Sequence, residues 1–273
     1  CCGIWGLKPT YDRVSRRGVM PLAPSLDHVG PMARTPGDLA LMLAAMTGER
    51  ATAGHDRKDR VTVAVALEDY FDGCHPEVVA GIEGAAKIFA RSGAVVERLS
   101  FAPGALPDAT AVIARHEAAL EHGAMLREHP EALQAFTRAR LETGLAIPPV
   151  EYREALAAVE RLRTEILRSV FSRTDILVAP IIPEPPPELA EVTAGTPSEV
   201  QARMTQFSRF ARLFNALGVP TLTVPCGVSS TGLPLAFQMV GRPGEDMRLL
   251  AIGTRWAACA PAPMPPGVSE DRV

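Results

Sequence analysis

Two periodicities of apolar residues alternate along the chain, and together they predict an α/β fold. Val61 to Leu67, VTVAVAL, is a short apolar run rich in β-branched residues, the pattern of a buried strand. His75, Pro76 and Glu77 then open a helix that runs to about Ser92 and stops at Gly93. Val95 to Leu99 follows as a second strand. Strand, helix, strand is the βαβ unit of a largely parallel sheet. Residues 107–172 are rich in Ala, Glu, Arg and Leu and read as helices, with breaks at His129-Pro130, Gly144 and Pro148-Pro149. The last of these helices, from about Val150 to Phe171, carries Leu156, Val159, Leu162, Ile166 and Val170 at spacings of three and four. Asp175 to Ala179 is another short buried strand, ended by Pro180. Thr221–Val224 and Leu235–Val240, joined by a glycine-containing loop, read as antiparallel neighbours, and a helix follows from about Asp246 to Ala258.

Two helices carry their own start signals. Thr35, Pro36 and Asp38 supply a cap, a proline for the first turn and an acid at the third position, and Gly48 ends the helix. Its stripe of Leu39, Met42, Leu43 and Met46 is flanked by Leu41 and several alanines, which predicts burial almost all round. Thr196, Pro197 and Glu199 repeat the signal for a helix running to about Leu217. Its large apolar residues are Phe207, Phe210, Leu213 and Phe214. They read as core, with a substrate wall built from one or two of them as the alternative.

Between these elements lie segments with no period. Gly3 to Arg34 holds eight glycines or prolines, too many breakers for a helix, and reads as ordered irregular backbone of the kind found near sites. Residues 49–60 are charged and read as an exposed connection, with His55 and Asp56 as solvated loop residues. Residues 180–197 form a proline- and glutamate-containing loop, either a surface linker or a flap, and residues 261–273 read as a tail.

Composition narrows the function classes. With 273 residues and 47% hydrophobic content the chain buries a large core. Lys and Arg number 28 against 31 Asp and Glu, a net charge of -3, so nothing points to nucleic acid or an anionic membrane. Aromatics at 5% argue against a base-stacking platform. The five cysteines are an odd number without a CxxC pair, which suits a reducing cytoplasm better than a disulfide framework or a zinc site. No apolar run is long enough to span a membrane. His116, His122 and His129 lack metal-ligand spacing, and no cofactor or metal is expected.

The segments GIWGLKPTY, VSRRG and PSLDHVGPMART resemble the stretch that follows the active-site serine in the amidase signature family. FNALGVPTLTVPCG and GLPLAFQMVGRPGEDMRLLAIG are similar to the family's closing strands and last helix. The resemblance implies an amidase signature fold, with a mixed, mostly parallel central sheet covered by helices on both faces. It implies hydrolysis of the C–N bond of a small carboxamide through a serine acyl-enzyme, using a serine–cis-serine–lysine triad. In the family the nucleophile lies in a Gly-Gly-Ser-Ile-Arg-like stretch ahead of the segment that opens this chain, and no such run occurs in residues 1–273. On this reading the chain is the C-terminal part of a single amidase domain. Residues 1–106 are the post-nucleophile loop and α/β core, 107–172 a helical pocket wall, 173–260 the closing core and 261–273 the tail. No catalytic residue is assigned within it, the isolated chain is expected to be inactive, and the triad belongs to a missing N-terminal half or a partner chain. The resemblance also gives Asp27 and Arg34 the role of holding the loop beside the site, and makes Lys8 a structural position. Glutamine amidotransferase subunits acting on misacylated transfer RNA share the signature and are the alternative function, with an inactive structural fragment as a third. A homodimer is a further expectation.

Side-chain chemistry within the chain offers few rivals to that assignment. Ser25, Asp27 and His28 lie too close in sequence for an ordinary triad. Cys2 and Cys226 are possible nucleophiles but read as ordinary thiols. The pocket is expected from the 111–145 helices, the 180–197 loop and the 203–215 helix face. The apolar residues there, and the lack of a clustered basic patch, predict a small neutral or mostly apolar amide.

Overall fold

The computed structural model describes residues 1–50, 60–66, 68–100, 104 and 106–260; His55, Asp56 and the 261–273 tail lie outside them. The chain begins with two short strands, β1 (Trp5–Lys8) and β2 (Met32–Ala33), then helix α1 (Pro36–Thr47). Strand β3 (Thr62–Ala66), helix α2 (Pro76–Arg91) and strand β4 (Val95–Leu99) follow. A helical section comprises α3 (Leu106–Glu128), α4 (Ala135–Leu145) and α5 (Pro149–Phe171). Strand β5 (Ile176–Pro180) leads to α6 (Leu189–Thr193), α7 (Pro197–Phe207) and α8 (Arg209–Ala216), and β6 (Thr221–Val228), β7 (Pro234–Val240) and α9 (Asp246–Cys259) close the fold.

One seven-stranded sheet runs in the order β2-β1-β6-β7-β5-β3-β4. β3 is parallel to both β4 and β5, as a βαβ crossover requires. The other four pairings, β1–β2, β1–β6, β5–β7 and β6–β7, are antiparallel. The expectation of a mostly parallel sheet is therefore corrected. Only half of the sheet is built by crossovers; the other half is a hairpin, β6–β7, with β1 and β2 added along its edge. The hairpin carries a bulge between Pro225 and Gly227, so β6 continues past Pro225, where the sequence pattern ends the strand.

Every residue of β5 is buried, and so is nearly all of β7, because helices cover both faces. Trp256 of α9 is the hub on one face, with Phe237 of β7, Trp5 of β1 and Phe89 of α2 at ring-centroid distances of 5.3, 6.2 and 6.5 Å. On the opposite face Gln238 of β7 donates to the carbonyls of Pro180 (2.6 Å) and Phe210 (3.4 Å), tying α8 to the sheet.

Local signals explain most boundaries. Asp38 N–H donates to Thr35 Oγ1 at 3.1 Å and Gly48 closes α1 at φ +73. Thr196 and Glu199 form a full capping box at α7. Two helix expectations fail. Leu41 and Met42 are exposed, so α1 is buried on one face, through Pro36, Leu39, Leu43 and Ala44. The helix expected from Thr196 to Leu217 breaks at Ser208, whose hydroxyl donates to Met204 O at 2.6 Å and ends α7.

The Gly3–Arg34 stretch is more regular at its ends than its composition suggested. Trp5 and Leu7 alternate inward from β1, and Leu7 N–H donates to Pro31 O. A Cβ at Gly30 would sit 2.1 Å from Leu7 O, so the return of the chain onto β1 requires glycine there.

Candidate substrate cavity

A cavity of about 990 Å³ opens between the loop of residues 21–28, the α3–α4 pair and the α7–α8 pair, and Lys8 at the end of β1 also lines it. Leu22, Ala23 and Leu26 form one apolar wall. That wall is tightly held. The Asp27 carboxylate accepts from Leu22 N–H (2.9 Å) and Ala23 N–H (3.1 Å), which closes the loop on itself. Asn215 of α8 donates to Leu26 O at 3.0 Å, and His122 of α3 reaches Pro21 O at 2.8 Å. Ser25 donates both its N–H (2.8 Å) and its hydroxyl (2.5 Å) to Glu117 of α3.

Other parts of the lining carry charge. Arg115 of α3, Arg140 of α4 and Arg212 of α8 all line the cavity. None forms an ion pair with a carboxylate among the described residues: Arg115 Nε donates to Ala111 O and Arg140 lies over the Phe136 ring. Partial removal from water, followed by the charge of Arg115, lowers the pKa of Arg140; the same desolvation, followed by the charge of Arg140, lowers that of Arg212. Three like charges thus press on one another in a shared space. Glycine makes the pairing of the first two possible. A Cβ at Gly144 would lie 2.1 Å from Arg115 O and 2.8 Å from Ala119 Cβ, so α4 packs backbone-close on α3 and brings Arg140, one turn earlier, toward Arg115.

The predicted lack of a clustered basic patch is therefore wrong. The arginines come from three separate helices, and only the packing of α3, α4 and α8 gathers them. Among the described residues the only carboxylate lining the cavity, Asp27, is occupied by backbone amides. A cavity with apolar walls and uncompensated guanidiniums suits an anionic group on an otherwise apolar ligand better than a neutral amide.

Lys8 donates to Val219 O (2.6 Å) and Pro9 O (3.1 Å), a structural tie between β1 and the turn before β6. Burial pulls its pKa from 10.5 down to about 7, opposed by the charge of Asp246. Asp246 is itself fully buried and receives Thr10 N–H and Thr10 Oγ1 at 2.7 Å each.

Ser25, Asp27 and His28 do not form a triad. Ser25 turns to Glu117, Asp27 to the loop amides, and His28 Nδ1 to Leu26 O at 2.8 Å. Burial, and then Lys8, lowers the His28 pKa to about 4. The cysteine alternatives fare no better. Burial pushes the Cys226 thiol up to about 12, and Cys2 is exposed and does not line the cavity. Among the cavity hydroxyls, Thr110 donates to Leu106 O and Thr205 to Gln201 O.

Other expectations are redistributed by the packing. Arg34 is exposed, leaving Asp27 as the residue of that pair that pins the loop. Of the 180–197 loop only Thr196 and Pro197 reach the rim. Phe210 and Phe214 are buried in the core, Phe210 with its ring 5.1 Å from that of Tyr70, and they form no part of the cavity wall. Among the three histidines considered for metal, His116 stacks on Tyr152, His122 meets Pro21 O and His129 lies 3.5 Å from Glu131. Glu117 escaped notice in the sequence, although it falls four residues after Ile113, on the stripe α3 buries.

Comparison with known proteins assigns the fold. The family model described as Amidase matches residues 1–250. An amidase of Pseudomonas putida is 33% identical over 92% of this chain and 57% of its own length. One subunit of the glutamyl-tRNA(Gln) amidotransferase of Thermosynechococcus vestitus is 29% identical over 95% of this chain and 61% of its own. A crystal structure of an amidase superimposes with a TM-score of 0.83 at 30% identity, covering 94% of this chain and 58% of that one. The chain therefore spans about three-fifths of the length of the relatives it matches. On the extent of the family match and the shared fold, the chain belongs to the amidase signature family.

Proposed function

We propose that this chain supplies the substrate cavity of an amidase that hydrolyses the C–N bond of a small carboxamide bearing a carboxylate. The carrying observation is the convergence of Arg115, Arg140 and Arg212 on one cavity without an acidic partner among the described residues. A carboxylate accepts two parallel hydrogen bonds from a guanidinium and relieves the repulsion among the three. The apolar wall of Leu22, Ala23 and Leu26 excludes water from the rest of the substrate.

The chemical step follows the serine acyl-enzyme route implied by the family. A serine oxygen bonds to the amide carbonyl carbon, the C–N bond breaks, and ammonia or an amine leaves with the serine's proton. Water then cleaves the acyl ester and releases the acid. The triad for that step is proposed to lie outside residues 1–273, with this chain as the C-terminal part of the amidase domain. The cavity residues contribute binding and orientation, which convert a bimolecular attack into a positioned one.

A second reading draws on the amidotransferase relatives. Glutamine is itself a carboxylate-bearing amide, so the same arginines would serve a glutamine-dependent ammonia donor working with a partner protein.

The test is turnover by the complete protein on paired amides, each a short amide acid and its uncharged methyl ester, with glutamine included. The expected kcat/KM is about 10- to 100-fold higher for the charged member, the scale of one or two charge-assisted hydrogen bonds. Arg140→Leu should abolish that preference mainly through KM. Equal or better turnover of the uncharged members would overturn the anionic-substrate reading. Selective use of glutamine, together with a co-purifying partner, would favour the second.

A further inference from the structure

Glu117 is buried, and no cation pairs with it among the described residues. A buried carboxylate without a counter-ion is costly unless donors surround it. Here three do: Ser25 N–H at 2.8 Å, Ser25 Oγ at 2.5 Å and Tyr152 Oη at 2.7 Å. The donors come from two segments distant in sequence, the 21–28 loop and α5, and Glu117 itself stands on α3. Tyr152 is held in turn by His116, whose ring stacks on it at 4.4 Å and 25°. Around this centre Ala23 and Leu26 of the loop pack with Ile113 of α3 and Ala155 of α5.

Two residues before Glu117, Arg115 faces the cavity. Residues two apart leave a helix on roughly opposite sides, so α3 directs Arg115 into the cavity and Glu117 away from it, onto the loop whose Leu22, Ala23 and Leu26 also line that cavity. The same helix therefore carries one of the cavity's arginines and the anchor of its apolar loop. A neutral side chain at 117 would fill the same space but would not gather all three donors.

We propose that Glu117 is a positioning residue: by clamping Ser25 and Tyr152 it sets the 21–28 loop against α3 and α5 at the distance the cavity needs to fit its ligand. It touches no reacting atom in this arrangement. The inference rests on the substrate reading above only for the choice of ligand, not for the clamp.

The experiment uses the complete protein and two readouts. Amide hydrogen exchange at Ser25 reports the clamp without any need for turnover. Calorimetric affinity for a short amide acid, with KM and kcat where turnover is found, reports its consequence. Ser25→Ala and Tyr152→Phe each remove one donor without opening a large void, and Glu117→Gln keeps the shape while removing the charge. Faster Ser25 exchange is expected in Glu117→Gln and in Tyr152→Phe. Affinity should weaken about tenfold in Glu117→Gln, and less in the two single-donor variants, while kcat stays within about threefold of the parent. Should Glu117→Gln fail to fold, the single-donor variants carry the same comparison. Unchanged exchange at Ser25, or faster exchange with unchanged affinity, overturns the proposal. A parent protein that binds and turns over only uncharged amides refutes the substrate reading instead, and the same variants are then compared on the amide it does accept.

Discussion

Burial holds two titratable side chains, His28 and Lys8, toward their neutral forms. His28 has a pKa of about 4 in the folded chain against an ordinary 6.5, chiefly through burial. Between these values the unfolded chain binds the proton and the folded chain does not, so stability is lost as pH falls from 6.5 to 4. Lys8 is depressed from 10.5 to about 7, again chiefly through burial. Its unfavourable contribution is absent above 10.5 and complete below 7, so stability falls as pH drops through that window. Denaturant unfolding across pH should show both slopes. The lower one should flatten in His28→Phe, and the upper one in Lys8→Met. Unaltered pH profiles in the variants would mean that neither group is held neutral by the fold. Neither effect was legible in the sequence. Lys8 stands in a recognisable motif, but its partners, Val219 and Asp246, come from the far end of the chain.

At the scale of elements, close helix packing sets the shape of the cavity. Gly144 lets α4 lie against the backbone of α3, and the contact distance leaves no room for a methyl group. Gly144→Ala should therefore push α4 outward. Overpacking of this kind costs about 1–3 kcal/mol. The same shift should separate Arg140 from Arg115 and raise KM for an amide acid more than for an uncharged amide. A variant with parental stability and unchanged selectivity would show that the α3–α4 approach does not build the anion site. Elements whose signals are local were legible: Thr35 and Thr196 announced their helices, and VTVAVAL announced β3. Gly144 was visible only as a break in a helical run. That it is a contact rather than a stop depends on α3, which no local pattern reveals.

At the scale of the molecule, order was less legible than content. The βαβ unit of β3, α2 and β4 was readable because its crossover helix is contiguous. The antiparallel half was underestimated because the arrival of β1 beside β6 is a long-range event, set by burial of Trp5 and Leu7 under the same core as Trp256. The arginines follow the same logic. Each alone is an ordinary helical residue of a chain with net charge -3, and their meaning arises when three helices bring them to one cavity. Glu117 is the exception that left a trace, as a charged residue four positions after Ile113 on a face that is otherwise buried.

The cavity of about 990 Å³ is proposed to receive the carboxylate-bearing end of an amide. A crystal structure of the complete protein with an inert amide-acid analogue tests it most directly. The ligand's carboxylate is expected within hydrogen-bond distance of Arg140 and of Arg115 or Arg212, with its apolar portion against Leu22, Ala23 and Leu26. A ligand bound outside this cavity, or bound within it with its carboxylate turned away from all three guanidiniums, would contradict it.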